Sequence, residues 1–322
     1  MQTVAIQRRR IVAKSGTLDK VFRSFVTAGA MVAFAVLSLI AAYLFARGGS
    51  TFRHQGISFF TSSTWNAGDP DNGVAPQFGV AAMLIGSIVV ATMAMVFALP
   101  FVLGASLFLE YYVSRRIRAV LVSILDLMAA IPSIVYGLWG YLVLMPYAAD
   151  WAASIHKYLG WIPIFDVQVE NYDASPFVAS LVLGLMIVPI ATAVAREVYS
   201  RAPRDQIDAA YALGSTRWGA IRAVVLPYGT SGLVGGMLLG LGRALGETIA
   251  VLLTLNLVFK VNFQIFASVG GNVASLIASR FGEAGRDEIS ALMAAGLVLF
   301  VLTLLVNFGA SYIVARTSKA KA

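Results

Sequence analysis

The chain has 322 residues, of which 59% belong to the AVILMFWYC set and only 12% are Asp, Glu, Lys or Arg. An ordinary soluble domain carries about 25% charged residues, and a mean hydropathy of +0.80 excludes a soluble globule of this size. Cysteine is absent, which excludes disulfides, thiolate catalysis and Cys-based metal centres; the net charge of +8 would suggest a nucleic-acid partner in a soluble chain but reports loop orientation in a membrane protein.

About 20 consecutive apolar residues cross a hydrocarbon core. Six stretches satisfy this: 25–46, 78–99, 120–144, 177–195, 231–255 and 289–314. The first follows a basic cytoplasmic segment, 1–24, and is longer than a signal-peptide core, so it reads as a retained helix. The remaining five form a core, 78–314, followed by a short tail, 315–322. The second run continues past Pro100 to Leu109; a straight helix of that length would overshoot the bilayer, which predicts a break or kink at Pro100. Asp126 in the third span reads mainly as a packing residue, with a vestibule role as the lesser reading. The loop 145–176 carries Tyr147, Trp151, Tyr158 and Trp161, residues that favour the membrane interface. A short helix on the outer surface and an ordinary solvated loop fit it equally. His54 and His156 have no ligand spacing and read as loop residues, and no metal site is expected.

Loop charge sets the orientation. The N-terminal segment, the second and fourth loops and the tail hold 17 Lys and Arg, the other three loops hold six, and Arg243 alone lies inside a span. The positive-inside rule then places both termini in the cytoplasm, and an even number of spans agrees.

The fourth loop, 201–227, has readable local logic. Pro203 suits the start of a helix, Asp205 and Asp208 favour its positive end, and Ala209, Ala210, Ala212 and Leu213 propagate it. Gly214 can end the helix in the left-handed conformation. Ser215 or Thr216 can cap a second short helix, 217–225, before Pro227 opens the next segment. The product is a helix–turn–helix hairpin facing the cytoplasm.

Span five carries Gly232, Gly236 and Gly240, a doubled GxxxG strip that permits close approach of another helix. Arg243 and Glu247 follow four residues apart and, in a continuous helix, would share a face continuing the strip. A charge near mid-span costs about 2.5–3.5 kcal/mol on insertion scales, while an i,i+4 pair returns only a few tenths of a kcal/mol. Function therefore outweighs a purely structural ion pair.

The fourth loop resembles the EAA loop of ABC-importer permeases, through Asp208, Ala209, Ala210, Gly214, Leu226 and Pro227; Asp208 stands where Glu is usual. The segment Arg243-Ala-Leu-Gly-Glu-Thr248 resembles the phosphate-importer permeases of the PstC type. So do Thr61–Asn66, Ile131–Gly140 and Gly271-Asn272. The permeases of the PstA type carry a similar but distinct pattern.

The resemblance implies an all-α membrane protein of six transmembrane helices in the MetI-like fold of type I ABC importers, with phosphate as substrate. It implies coupling to ATPase subunits through the EAA residues, and a substrate path at Arg243, Glu247 and Thr248. Implied partners are a PstA-like permease, two ATP-binding subunits, an extracytoplasmic phosphate-binding protein and the bilayer. ATP and Mg would belong to the partner ATPase. In agreement, none of the six lysines follows a glycine, so a P-loop Gly-Lys-Ser/Thr is absent and this chain is not itself an ATPase of that type. A permease for molybdate or sulfate, and an ion-coupled carrier needing no ATPase, are the rival readings. A guanidinium fork suits any such oxyanion.

Overall fold

The computed structural model describes residues 16–69 and 73–319, with side chains through 312. Arg8, Arg9, Arg10, Lys14 and Lys321, which entered the orientation count, lie outside the described residues. The elements are α1 (Thr17–Gln55), α2 (Ser58–Thr61), β1 (Trp65–Asn66), β2 (Gln77–Phe78), α3 (Ala81–Leu107), α4 (Arg115–Ala130), α5 (Ser133–Trp139), α6 (Met145–Leu159), α7 (Pro176–Tyr199), α8 (Arg204–Ala212), α9 (Arg217–Ala220), α10 (Leu226–Gly246), α11 (Ile249–Thr254), α12 (Val273–Arg280) and α13 (Arg286–Lys319).

Five helical runs are long and apolar enough to cross a membrane, and a bent pair, α4 with α5–α6, makes a sixth when it is read as one broken span. Five to six of the expected spans are thus present among the described residues, but their shapes differ from the expectation. The third is not one helix over 120–144. It turns by 93° between Ala130 and Ser133. Pro132 explains the turn. Its ring disfavours helical backbone at the preceding residue, and Ile131 sits extended at φ −63°, ψ 130°.

Of the break or kink expected at Pro100, the break is absent. Helix α3 runs through Pro100 to Leu107 and then widens into a π turn, Phe108–Tyr112. Excess length is absorbed by extension: α1 has 39 residues where about 20 suffice. The start of α1 at Thr17 also makes helical eight residues that the sequence reading had placed in the N-terminal segment.

The loop 145–176 is half helix. Helix α6 continues from a π turn, Gly140–Leu144, and buries Met145, Ala148 and Ala152. The remainder is tied to the core. Ile265 donates its N–H to the Ile164 carbonyl at 3.0 Å, and Phe177 donates to the Ile265 carbonyl at 2.9 Å. His156 Nδ1 and the Tyr172 hydroxyl lie 2.7 Å apart, so His156 closes this loop.

Helix α7 is the centre of the fold. Val178, Ala179, Val182, Ala191, Ala195 and Tyr199 are fully buried between α3 on one side and α10 on the other. Helix α1 stands outside and exposes most of its apolar surface. It meets α13 most closely where side chains are small: a Cβ on Gly48 would lie 2.7 Å from the Ala294 nitrogen. Thr51 and Ser290 hydroxyls lie 2.9 Å apart beside it.

The departure from an all-helical chain is the two-residue ribbon β1–β2, paired antiparallel with Trp65 opposite Phe78. Trp65 stacks on Phe259 at 5.9 Å between ring centroids, and its indole N–H donates to Glu288 Oε1 at 2.8 Å. Glu288 is buried in the first turn of α13, where the helix dipole favours a carboxylate. Trp65→Phe keeps the ring but strands a buried acceptor. Such an orphan costs about 1–3 kcal/mol, and a lower melting temperature of the purified protein is the expected result.

Candidate functional site: a broken helix, a glycine strip and a cytoplasmic hairpin

The hairpin forms as its sequence dictates, with small shifts. Pro203 sits at the N-cap, one position before the helix rather than inside it, and Asp205 lies in the first turn of α8. Gly214 adopts φ +82°. The Ser215 N–H donates to the Ala210 carbonyl at 3.0 Å, and the Gly214 N–H to the Tyr211 carbonyl at 2.9 Å. This is the Schellman closure, which needs a residue tolerant of positive φ. Between the two candidate caps, Thr216 is the one used: its Oγ1 accepts from the Gly219 N–H at 3.2 Å. The second leg runs through α9, a π turn at Ile221–Val225 and straight into α10, with Leu226 and Pro227 in the first turn of α10.

That second leg is rooted. Ala220, Ile221 and Val225 are buried in the core, so a force on the hairpin reaches α10 without an intervening loop. The first leg is open: Asp208 and Ala209 are exposed and Ala210 is half-buried, and Pro227 is exposed at the base. Leu213 is 90% exposed, with Trp218 and Tyr211 exposed nearby. The sequence reading gave no docking role to these three. Their signal was available, as large apolar residues within a polar cytoplasmic loop. Gly214→Ala forces a side chain into the left-handed region, which costs about 1–2 kcal/mol. Amide exchange at Gly214-derived Ala and Ser215 should accelerate by about tenfold, as read by hydrogen exchange.

Gly232, Gly236 and Gly240 are buried and face α7. A Cβ on Gly232 would strike Val198, one on Gly236 would lie 2.7 Å from the Ala191 carbonyl oxygen, and one on Gly240 would strike Ile187. Gly229, three residues before the strip, extends it against the Tyr199 ring. Its different spacing hid it from the GxxxG pattern.

The strip does not continue as expected into a charge pair. Helix α10 stops at Gly246. Glu247 is extended at φ −72°, ψ 128°, Thr248 takes φ −109°, ψ −64°, and α11 resumes at Ile249. Span five is therefore broken, and the i,i+4 argument for Arg243 and Glu247 fails because Glu247 has left the helix. The ion pairs among the described residues are Glu110–Arg118 and Glu197–Arg201. Glu247 is 8% exposed, and its carbonyl accepts from Asn272 Nδ2 at 2.7 Å. Thr248 donates its hydroxyl to the Gly246 carbonyl at 3.3 Å.

Arg243 is half-buried in the last turn of α10. Its Nε is buried without a hydrogen-bond partner. A cation without a fixed counter-ion, beside unwound backbone in a membrane span, is an arrangement suited to a transient anionic visitor. Asp126 finds no packing partner among the described residues of this chain. It is exposed on α4, which buries none of its residues in this chain.

Residues 101–319 match the family described as binding-protein-dependent transport system inner membrane component. The chain is 40% identical over 287 residues to "Phosphate transport system permease protein PstC 2" of Mycobacterium tuberculosis, covering 88% of this chain and 87% of that protein. It is 36% identical over 306 residues to "Phosphate transport system permease protein PstC" of Xylella fastidiosa, covering 94% and 92%. Among solved structures, the inward-facing MetNI methionine ABC transporter aligns with a TM-score of 0.53 at 14% identity, over 72% of this chain and 93% of that one. That likeness concerns the fold.

Proposed function

We propose that this chain, which belongs to the family of binding-protein-dependent transport system inner membrane components and to the PstC permeases within it, forms half of the translocation path of an ATP-driven importer of inorganic phosphate. As a member it is a multi-pass inner-membrane protein and a permease subunit. The observation that carries the substrate reading is Arg243: a guanidinium at a helix break, within a span, with no ion-pair partner among the described residues. Phosphate accepts charge-assisted bonds from such a fork. Because Glu247 does not hold Arg243, the anion meets the cation without first displacing an intramolecular partner. Glu247 and Thr248 then shape the path from the unwound segment.

The second half of the path is a PstA-like permease. The outward apolar residues of α4 and α5, among them Ile124, Leu127, Val135 and Leu138, suit that neighbour or lipid. Both termini face the cytoplasm by the loop-charge count. The hairpin then faces two ATP-binding subunits, which hold ATP and Mg, while an extracytoplasmic phosphate-binding protein delivers substrate from the other side. Asp208, Ala209, Ala210, Gly214, Leu226 and Pro227 build the coupling hairpin, and Leu213 supplies its exposed apolar tip.

The experiment is purification of the natural complex, followed by ATPase assay with the binding protein loaded with different oxyanions. Stimulation by phosphate supports the reading. Stimulation by molybdate or sulfate would correct the substrate, and transport by this chain alone in liposomes would replace the coupling by an ion-driven carrier. Within the complex, Leu213→Glu should reduce recovery of the ATPase subunits by about tenfold, as loss of a buried apolar anchor implies; unchanged recovery would remove Leu213 from the interface.

A further inference from the structure

A helix broken inside a bilayer frees backbone groups that no water satisfies, at several kcal/mol each. In an uninterrupted helix the Glu247 carbonyl would accept from the N–H of Val251. Here Glu247 is extended, and that carbonyl accepts from the side-chain amide of Asn272, 25 residues away, at 2.7 Å. The bond is buried, with Asn272 2% exposed.

The amide is oriented by its other partners. Asn272 Oδ1 accepts from the Ser275 N–H at 2.7 Å, and the Asn272 N–H donates to Ser275 Oγ at 3.3 Å, a reciprocal capping box at the start of α12. Flipping the amide would set its NH2 against an N–H and its oxygen against a carbonyl, so the assignment is fixed by the network. The loop carrying Asn272 is itself wedged. The Gly271 carbonyl presses on Gly86 of α3, and Ser87 Oγ accepts from the Val273 N–H at 3.1 Å. The Asn272 side chain thus joins the start of α12 to the break between α10 and α11, and the backbone on either side of it is held against α3.

We infer that Asn272 is a positioning residue for transport: its amide donor holds the α10–α11 break open and so fixes Arg243 and Thr248 along the anion's path. The inference rests on Arg243 as the substrate-facing cation, and its structural half can be read without any transport. If the donor is lost while the helix cap is kept, the Glu247 carbonyl recovers a partner by rewinding through Val251, and Thr248 is drawn into the helix.

Asn272→Ser and Asn272→Asp both retain a capping oxygen and lose the amide donor. Ser275→Ala removes half of the capping box and leaves the Asn272–Glu247 bond intact. The chain contains no cysteine, so Thr248→Cys is a single clean thiol in each background, with Thr254→Cys, at a fully buried position, as the protected control. The complex in lipid nanodiscs is labelled with a charged methanethiosulfonate reagent. The parent should label at position 248 and not at 254. Either Asn272 variant should label about tenfold more slowly at 248, as loss of a buried donor implies, and Ser275→Ala should match the parent.

In the background with Thr248 intact, the Asn272 variants should lower the maximal uptake rate of phosphate by about tenfold and leave the half-saturating concentration unchanged. Parent-like labelling in the Asn272 variants overturns the inference, as does slowed labelling with parent-like uptake, which makes Asn272 a latch without a transport role. If position 248 in the parent is as protected as 254, the break is not open and the inference also fails, whether or not the variants assemble. A parent that takes up no phosphate overturns the substrate reading instead, and the labelling comparison stands apart from it.

Discussion

Arg243→Ala is expected to abolish phosphate uptake while the permease still assembles. Truncating one member of a desolvated charge pair costs about 2–5 kcal/mol, and at about 1.4 kcal/mol per factor of ten the uptake rate should fall by at least about thirtyfold. Arg243→Lys keeps the charge and loses the planar fork, so it should lie between the two. Assembly should survive because Arg243 anchors nothing: its Nε has no partner and it joins no ion pair among the described residues. The same geometry makes a sharper statement about Glu247. In a stability cycle of Arg243→Ala and Glu247→Gln, the coupling should be under about 0.5 kcal/mol, the usual limit for groups that do not interact. A larger coupling would mean that the pair forms in the membrane, and that phosphate must compete with a carboxylate for the arginine. Normal uptake by Arg243→Ala, with the protein present at parent levels, would remove the arginine from the path altogether.

Much of this architecture was legible in the residues, and the places where it was not share a cause. The hairpin was readable because each feature is local. A glycine tolerates φ +82°, a threonine caps the next helix, and both signals lie within a few residues of their effect. The glycine strip was readable because helical periodicity alone puts Gly232, Gly236 and Gly240 on one face, although not which helix would meet it. Apolar run length found the spans but not their breaks. At Pro100 it suggested a break or a kink, and the helix is not interrupted there. At Ile131-Pro132 it passed over a 93° turn, although the rule for residues preceding proline points there.

The break after Gly246 was hidden for a deeper reason. Nothing in Arg243–Thr248 forbids a helix. The carbonyl released by the break is satisfied from Asn272, a residue 25 positions on, and only tertiary structure discloses such a partner. The expected Arg243–Glu247 pairing failed because local periodicity was applied across a point where a distant side chain had already changed the backbone.

The second large effect concerns packing, and Gly236 is the point of the strip that meets backbone. Lipid chains are as apolar as a leucine side chain, so helices within a bilayer are not driven together by escape from water; close van der Waals contact and weak polar contacts must suffice. Between α10 and α7 this contact depends on missing side chains. A Cβ on Gly236 would lie 2.7 Å from the Ala191 carbonyl oxygen and 3.2 Å from its Cα. Both are backbone atoms of the most buried helix in the protein and cannot swing aside. At Gly240 the obstruction is the Cγ2 methyl of Ile187, a buried β-branched side chain that is held to one rotamer in a helix and has little room to move aside.

Gly236→Ala should therefore destabilise the protein by about 1–3 kcal/mol, the usual range for overpacking a filled interior, and Gly240→Ala by a similar amount. Gly236→Val should fail to accumulate. The neighbouring glycine is the control. No atom lies within 4 Å of a Cβ at Gly235, and alanine is better than glycine in a helix by about 1 kcal/mol, so Gly235→Ala should leave the melting temperature unchanged or raise it. Melting temperatures of the purified protein, with membrane levels by immunoblot, order the four variants. Equal effects of Gly235→Ala and Gly236→Ala would mean that helix propensity, and not the approach of α7, decides the outcome. The order expected here instead ties Arg243 to the core, because it lies one turn beyond Gly240 on α10 and is placed by the same contact.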